Sequence, residues 1–96
     1  MSMPATASAL TGANQAVSAS PATYQGYTLR ETAGTAAAAT VRIWDNPAAA
    51  SGALLDVVEL PANGSAQAFY PGGIRAHRGI YVEVVAGTVE GSVRIA

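Results

Sequence analysis

The sequence predicts an all-β fold: a small antiparallel β-sandwich or barrel of about six to seven strands with an extended N-terminal arm. Three observations carry this. Apolar and polar residues alternate with period two through most of the chain after Thr23. Turn residues (Asp-Asn-Pro at 45–47, Asn-Gly at 63–64, Pro-Gly-Gly at 71–73) punctuate the alternation at the spacing of short strands. No charged side chain precedes Arg30. Up to Thr23 the chain is almost entirely Ala, Ser, Thr, Gly, Asn, Gln and Pro.

The arm spans 1–23. It holds no aromatic and few large aliphatics, so it has little apolar surface with which to offset the entropy of ordering. Ser and Thr among the alanines, and the lack of an apolar stripe, argue against a helix over 5–9 or 13–19. An arm of this composition orders when something holds it, which points to an assembly. Its candidate partner contacts are Pro4, Leu10 and Val17, and strand addition onto a neighbouring sheet edge is the natural mode. Deleting residues 1–22 is then expected to abolish partner binding and leave the body folded.

The β domain spans 24–96. The first strand runs from Tyr24 to Thr32, with Tyr27 and Leu29 on one face and Thr28 and Arg30 on the other. Ala33-Gly34-Thr35 is a turn. The second runs from Ala36 to Asp45, with Val41 and Ile43 facing one way and Thr40, Arg42 and Trp44 the other. Alanines 36–39 alone would suit a helix, but the alternation after them favours a strand. Asp45-Asn46-Pro47 stops the strand, and 47–52 is a small-residue loop with room for one helical turn. Residues 53–60 are nearly all apolar, which predicts a central strand. The turn at 61–64 is of hairpin type. Ser65 to Tyr70 is a short strand, Pro71-Gly72-Gly73 breaks it, and 74–78 is a connection or very short strand. Residues 79–86 and 88–95 read as a hairpin closing at Ala86-Gly87. A two-residue loop would place Glu83 against Glu90, a like-charge pair, so the register stays open.

Composition narrows the function. With 96 residues there is room for one domain. Without cysteine there is no disulfide framework, and a single histidine makes a zinc cluster implausible. A domain so small and unstapled often gains stability by oligomerising. The net charge is −1. All cations are arginines (30, 42, 75, 78 and 94), with acids close by at 31, 45, 83 and 90, so there is no basic patch and no footprint for nucleic acid. The absence of lysine suggests a GC-rich coding genome. No secretory signal or membrane-length apolar run is present.

No catalytic set is readable, and no cofactor is expected. His77 stands between Arg75 and Arg78 with no nucleophile motif near it, which suits a structural or interface residue. Asp56 and Glu59 have opposite parity on their strand, so they point to opposite faces and do not form an acid–base pair. One of them is available to pair with an arginine across the sheet. No glycine pattern matches a phosphate-binding loop. Trp44 and Tyr81 lie on polar faces, and Tyr70 precedes the Pro-Gly-Gly break. Such aromatics suit a protein interface or the core edge, and less well a sugar platform.

The segments GYTLRETAGT (26–35), VRIWDN (41–46), GIYVEVV (79–85) and VEGSV (89–93) resemble small virion structural proteins of tailed phages that infect high-GC actinobacteria. The likeness covers 24–96 and omits the arm. It implies a non-enzymatic decoration (cement) protein, a homotrimer on the capsid surface that binds the major capsid protein and is made in the host cytoplasm. Partner-binding residues would be Pro4, Leu10, Val17, Trp44, Tyr70, His77 and Tyr81. The alternative is a small tail or fibre domain that binds host-surface glycans through Trp44, Tyr70 and Tyr81.

Overall fold

A computed structural model describes residues 5–32 and 38–96. Pro4, the turn expected at 33–35 and alanines 36 and 37 lie outside the described residues. Among the described residues there is no helix, and eight strands form: β1 (Thr6–Ala9), β2 (Gln15–Ser18), β3 (Ala22–Glu31), β4 (Ala39–Asp45), β5 (Ala53–Leu60), β6 (Ser65–Ala76), β7 (Ile80–Ala86) and β8 (Val89–Ile95). They build two four-stranded sheets, ordered β1-β8-β3-β6 and β2-β7-β4-β5. Every pairing is antiparallel.

The order has a simple logic. Strand β1 pairs with β8, β2 with β7, β3 with β6 and β4 with β5. The chain is thus one long antiparallel ribbon, folded back between β4 and β5. Pairing of β3 with β8 and of β4 with β7 then rolls the ribbon into two sheets. This is the eight-stranded jelly roll. Period-two patterning supplies the core between the sheets. Tyr24, Leu29 and Val93 from the first sheet meet Val41, Ile43, Val58, Leu60, Ile80 and Val82 from the second.

The topology corrects several expectations. Residues 6–18 are not a free arm, because β1 and β2 are edge strands of the two sheets. Main-chain pairing holds them, from Thr6 opposite Ile95 to Ala9 opposite Ser92, and Gln15 opposite Val82. Side-chain amides do the rest. Gln15 Oε1 accepts the Thr11 N–H at 2.7 Å and its Nε2 donates to the Ala9 carbonyl at 3.2 Å. Asn14 Oδ1 accepts the Val84 N–H at 2.8 Å. Leu10 and Val17 pack against the core.

The expected hairpin of 79–86 with 88–95 does not form, since β7 and β8 lie in different sheets. Their apolar sides meet across the core instead of along one ladder. This also removes the clash between Glu83 and Glu90. Glu90 sits opposite Arg30, 3.9 Å from its guanidinium, and Glu83 sits opposite Arg42. Strand β5 is an edge strand, not a central one. The turn at 61–64 is not the expected hairpin turn: it carries the chain from one sheet to the other, closed by the Gly64 N–H on the Pro61 carbonyl at 2.8 Å, with Asn63 at φ 57° in its third position. Buried Glu31 braces this corner: its Oε1 accepts the Asn63 N–H and its own N–H donates to the Gly64 carbonyl, both at 2.9 Å.

Strand β6 continues through Pro71-Gly72-Gly73 as a wide bulge. Tyr24 pairs with Ile74 and Gly26 with Phe69, so residues 70–73 loop out opposite Gln25 alone. The inward and outward faces of β4 match expectation, with Val41 and Ile43 buried and Arg42 exposed. Asp45 ends that strand as expected. Asn46 Oδ1 then accepts the N–H groups of Ala48 and Ala49, both at 2.9 Å, an Asx turn that shapes the loop without a helix.

Candidate functional site

The outer face of the second sheet gathers several of the singled-out residues. Cross-strand pairing sets two rows across it. One row reads Ala16, Tyr81, Trp44, Leu54; the next reads Glu83, Arg42, Val57. A bulge in β5 between the partners of Ile43 and Trp44 skips Leu55 and brings Leu54 onto the same face as Trp44. The Trp44 indole N–H donates to Glu83 Oε1 at 3.1 Å, which anchors the ring to the neighbouring strand. Leu54 and Val57 are each 44% exposed, so the face is part apolar and part charged. Rigid aromatics with exposed aliphatics, flanked by both charge signs, suit protein docking.

Tyr70 is elsewhere. The β6 bulge turns it inward, where its hydroxyl donates to Asp56 Oδ2 at 2.8 Å. The Tyr24 hydroxyl donates to the same oxygen, also at 2.8 Å. The two rings meet at 5.7 Å between centroids, tilted by 51°. Asp56 Oδ1 accepts the N–H of Val57 at 2.9 Å. The trio ties β3 and β6 of one sheet to β5 of the other, at the side where β5 and β6 are open edges. Burial, then the hydrogen bond and charge of Asp56, push the Tyr24 hydroxyl far up and Tyr70 up to about 12. Tyr27 is raised as well, by burial first and Asp56 second. Asp56 and Glu59 do face opposite ways, as their parity predicts: Asp56 turns in, and Glu59 is exposed. The partner Asp56 finds is a tyrosine pair rather than an arginine.

His77 is exposed, and it is its backbone that is used. The N–H groups of His77, Arg78 and Gly79 converge on the buried Asp45 carboxylate at 3.1, 2.8 and 3.4 Å. Burial opposes the charge, but the three donors outweigh it and hold the Asp45 carboxyl below its ordinary value. A depressed folded-state value contributes stability above the unfolded-state value, lost as pH falls through the folded one. The urea midpoint is therefore expected to drop as pH falls below about 4. Asp45→Asn should flatten that dependence and lower stability at pH 7 by about 2 kcal/mol; an unchanged acid limb would contradict the assignment. The sequence marked Asp45 as a turn residue only, because its three donors lie more than thirty positions away.

Thus the structure brings Trp44 and Tyr81 together, and sets Tyr70, His77, Leu10 and Val17 apart from them. Among the described residues no group of His, Asp and Glu is placed to hold a metal ion, and no helix is long and apolar enough to cross a membrane. No family model, curated protein or solved structure matches the chain.

Proposed function

We propose that this protein is a non-enzymatic virion structural protein, a trimeric cement component that binds the head shell of a tailed phage through the outer face of β2-β7-β4-β5. The observation that carries the reading is the Tyr81–Trp44–Leu54 row beside Glu83–Arg42–Val57 on a rigid sheet. The likeness of 24–96 to actinobacteriophage virion proteins supplies the partner, the major capsid protein. In this reading the N-terminal segment serves the body of the clamp, since its two strands close the sheets.

The test is co-sedimentation of the purified chain with shells that lack it. The chain should pellet with shells and run as a trimer in solution. Trp44→Ala should weaken binding about tenfold or more, the loss typical of an aromatic anchor, with an unchanged melting curve. A chain that stays in the supernatant, or a Trp44→Ala variant that binds as well as its parent, would overturn the reading.

A further inference from the structure

The opposite face of the sandwich holds a different site. We propose that the outer face of β1-β8-β3-β6 carries a binding site for a carboxylate-bearing sugar, built from Arg94, Phe69, Gln67 and the bare backbone of Gly26. The site is independent of shell binding, because it uses the other sheet.

Strand pairing builds it. Gly26 on β3 sits opposite Phe69 on β6 and opposite Arg94 on β8, so all three share the outward face. Thr28 sits opposite Gln67 and Ser92 in the next row. The aromatic ring and the guanidinium therefore flank a position without a side chain, with backbones about 10 Å apart, two strand spacings. A shallow cavity of about 390 Å³ lies there, lined by Gln67, Ala68, Phe69 and Arg94. That volume suits a small ligand.

Gly26 is required for the floor. Its φ is +135°, and a Cβ would lie 2.0 Å from the Ala68 carbonyl oxygen.

The chemistry of the walls names the ligand. Arg94 donates to the Thr28 hydroxyl, which fixes the guanidinium and leaves most of its N–H fork unused. Among the described residues no carboxylate is within ion-pair distance of it; the one ion pair joins Arg30 to Glu90. A planar, positioned and unneutralised guanidinium takes a carboxylate in bidentate fashion. Phe69 is 60% exposed, the most open of the large apolar side chains among the described residues, and offers a flat face for the C–H side of a sugar ring. Gln67 adds amide donors and an acceptor for hydroxyls. An acidic peptide side chain would satisfy Arg94 alone and leave Phe69 and Gln67 idle. A uronic-acid residue uses all three.

The experiment titrates the isotope-labelled full chain with trigalacturonate, a hyaluronan tetrasaccharide, maltotriose and an acetylated triglutamate peptide, read by amide NMR shifts. A uronate probe should give saturable shifts around 26, 67–69 and 94, with maltotriose and triglutamate at least tenfold weaker. Arg94→Ala and Phe69→Ala should each weaken uronate binding about tenfold, and Trp44→Ala should not change it. Phe69 is exposed, so that variant reports binding even if Arg94→Ala disturbs the fold. Lack of saturable binding by both uronate probes, equal binding of maltotriose, or equal binding of triglutamate would each overturn the proposal. Shell co-sedimentation of the same variants separates this outcome from the cement reading.

Discussion

Removal of residues 1–20 is expected to unfold or aggregate the protein rather than release a dispensable arm. The deletion strips β1 from β8 and β2 from β7, and so opens one edge in each sheet. It also removes Leu10 and Val17 from the core margin. Their partial burial alone contributes roughly 2–4 kcal/mol, a large share of what a domain of this size can have. The new edges present unpaired N–H and C=O groups beside the β-branched residues of β7 and β8, a template for association. Urea unfolding and light scattering check this. A truncated chain with the parental midpoint and no scattering would show that the strands add nothing.

The second large effect falls on Asp56. Asp56→Ala should cost about 3 kcal/mol, because the fully buried Tyr24 loses the acceptor for its hydroxyl and Tyr70 loses its anchor. Asp56→Asn keeps an acceptor without the charge, and should fall between. The same contact, after burial, contributes to alkaline behaviour. Tyr70 is raised from 10.0 to about 12, so the folded state favours the neutral phenol. Its contribution is complete below the unfolded-state value and is lost as pH rises through about 12. In Asp56→Ala the phenol should ionise at lower pH in a tyrosinate absorbance titration. A Tyr70 transition at the parental pH in that variant would refute the coupling.

These two predictions mark where sequence reading stops. The alternation of Val41, Arg42, Ile43 and Trp44 declares a strand and its faces, and Asp45-Asn46-Pro47 declares its end; both are local signals. The N-terminal strands carry no such signal. Ala, Ser and Thr bury too little to show a period, and what orders them is main-chain pairing with residues more than sixty positions away. The strand at 53–60 reads as central because it is apolar throughout, yet Leu54 and Val57 spend that apolarity on an outer face. Ala86-Gly87 is a valid turn, but a turn does not say whether the chain returns along the same sheet or crosses to the other. The candidate site shares this limit. Trp44 and Tyr81 are each legible as outward aromatics, while their adjacency depends on β4 pairing with β7. Tyr70 misleads, because only the bulge at 70–73 reveals that it turns toward Asp56.

The folded-ribbon topology also sets a timetable. Among the described residues, β4 and β5 are the only successive strands that pair. Everything else waits for a distant partner, and β1 waits for β8, the eighth strand in chain order. During synthesis the sandwich cannot close from its beginning; it closes from the middle outward and is sealed by its two ends. Such long-range closure is slow and leaves early strands unpaired in the meantime. A leading segment of small, uncharged residues is well suited to that interval, because it has little with which to form a wrong contact before its partner emerges.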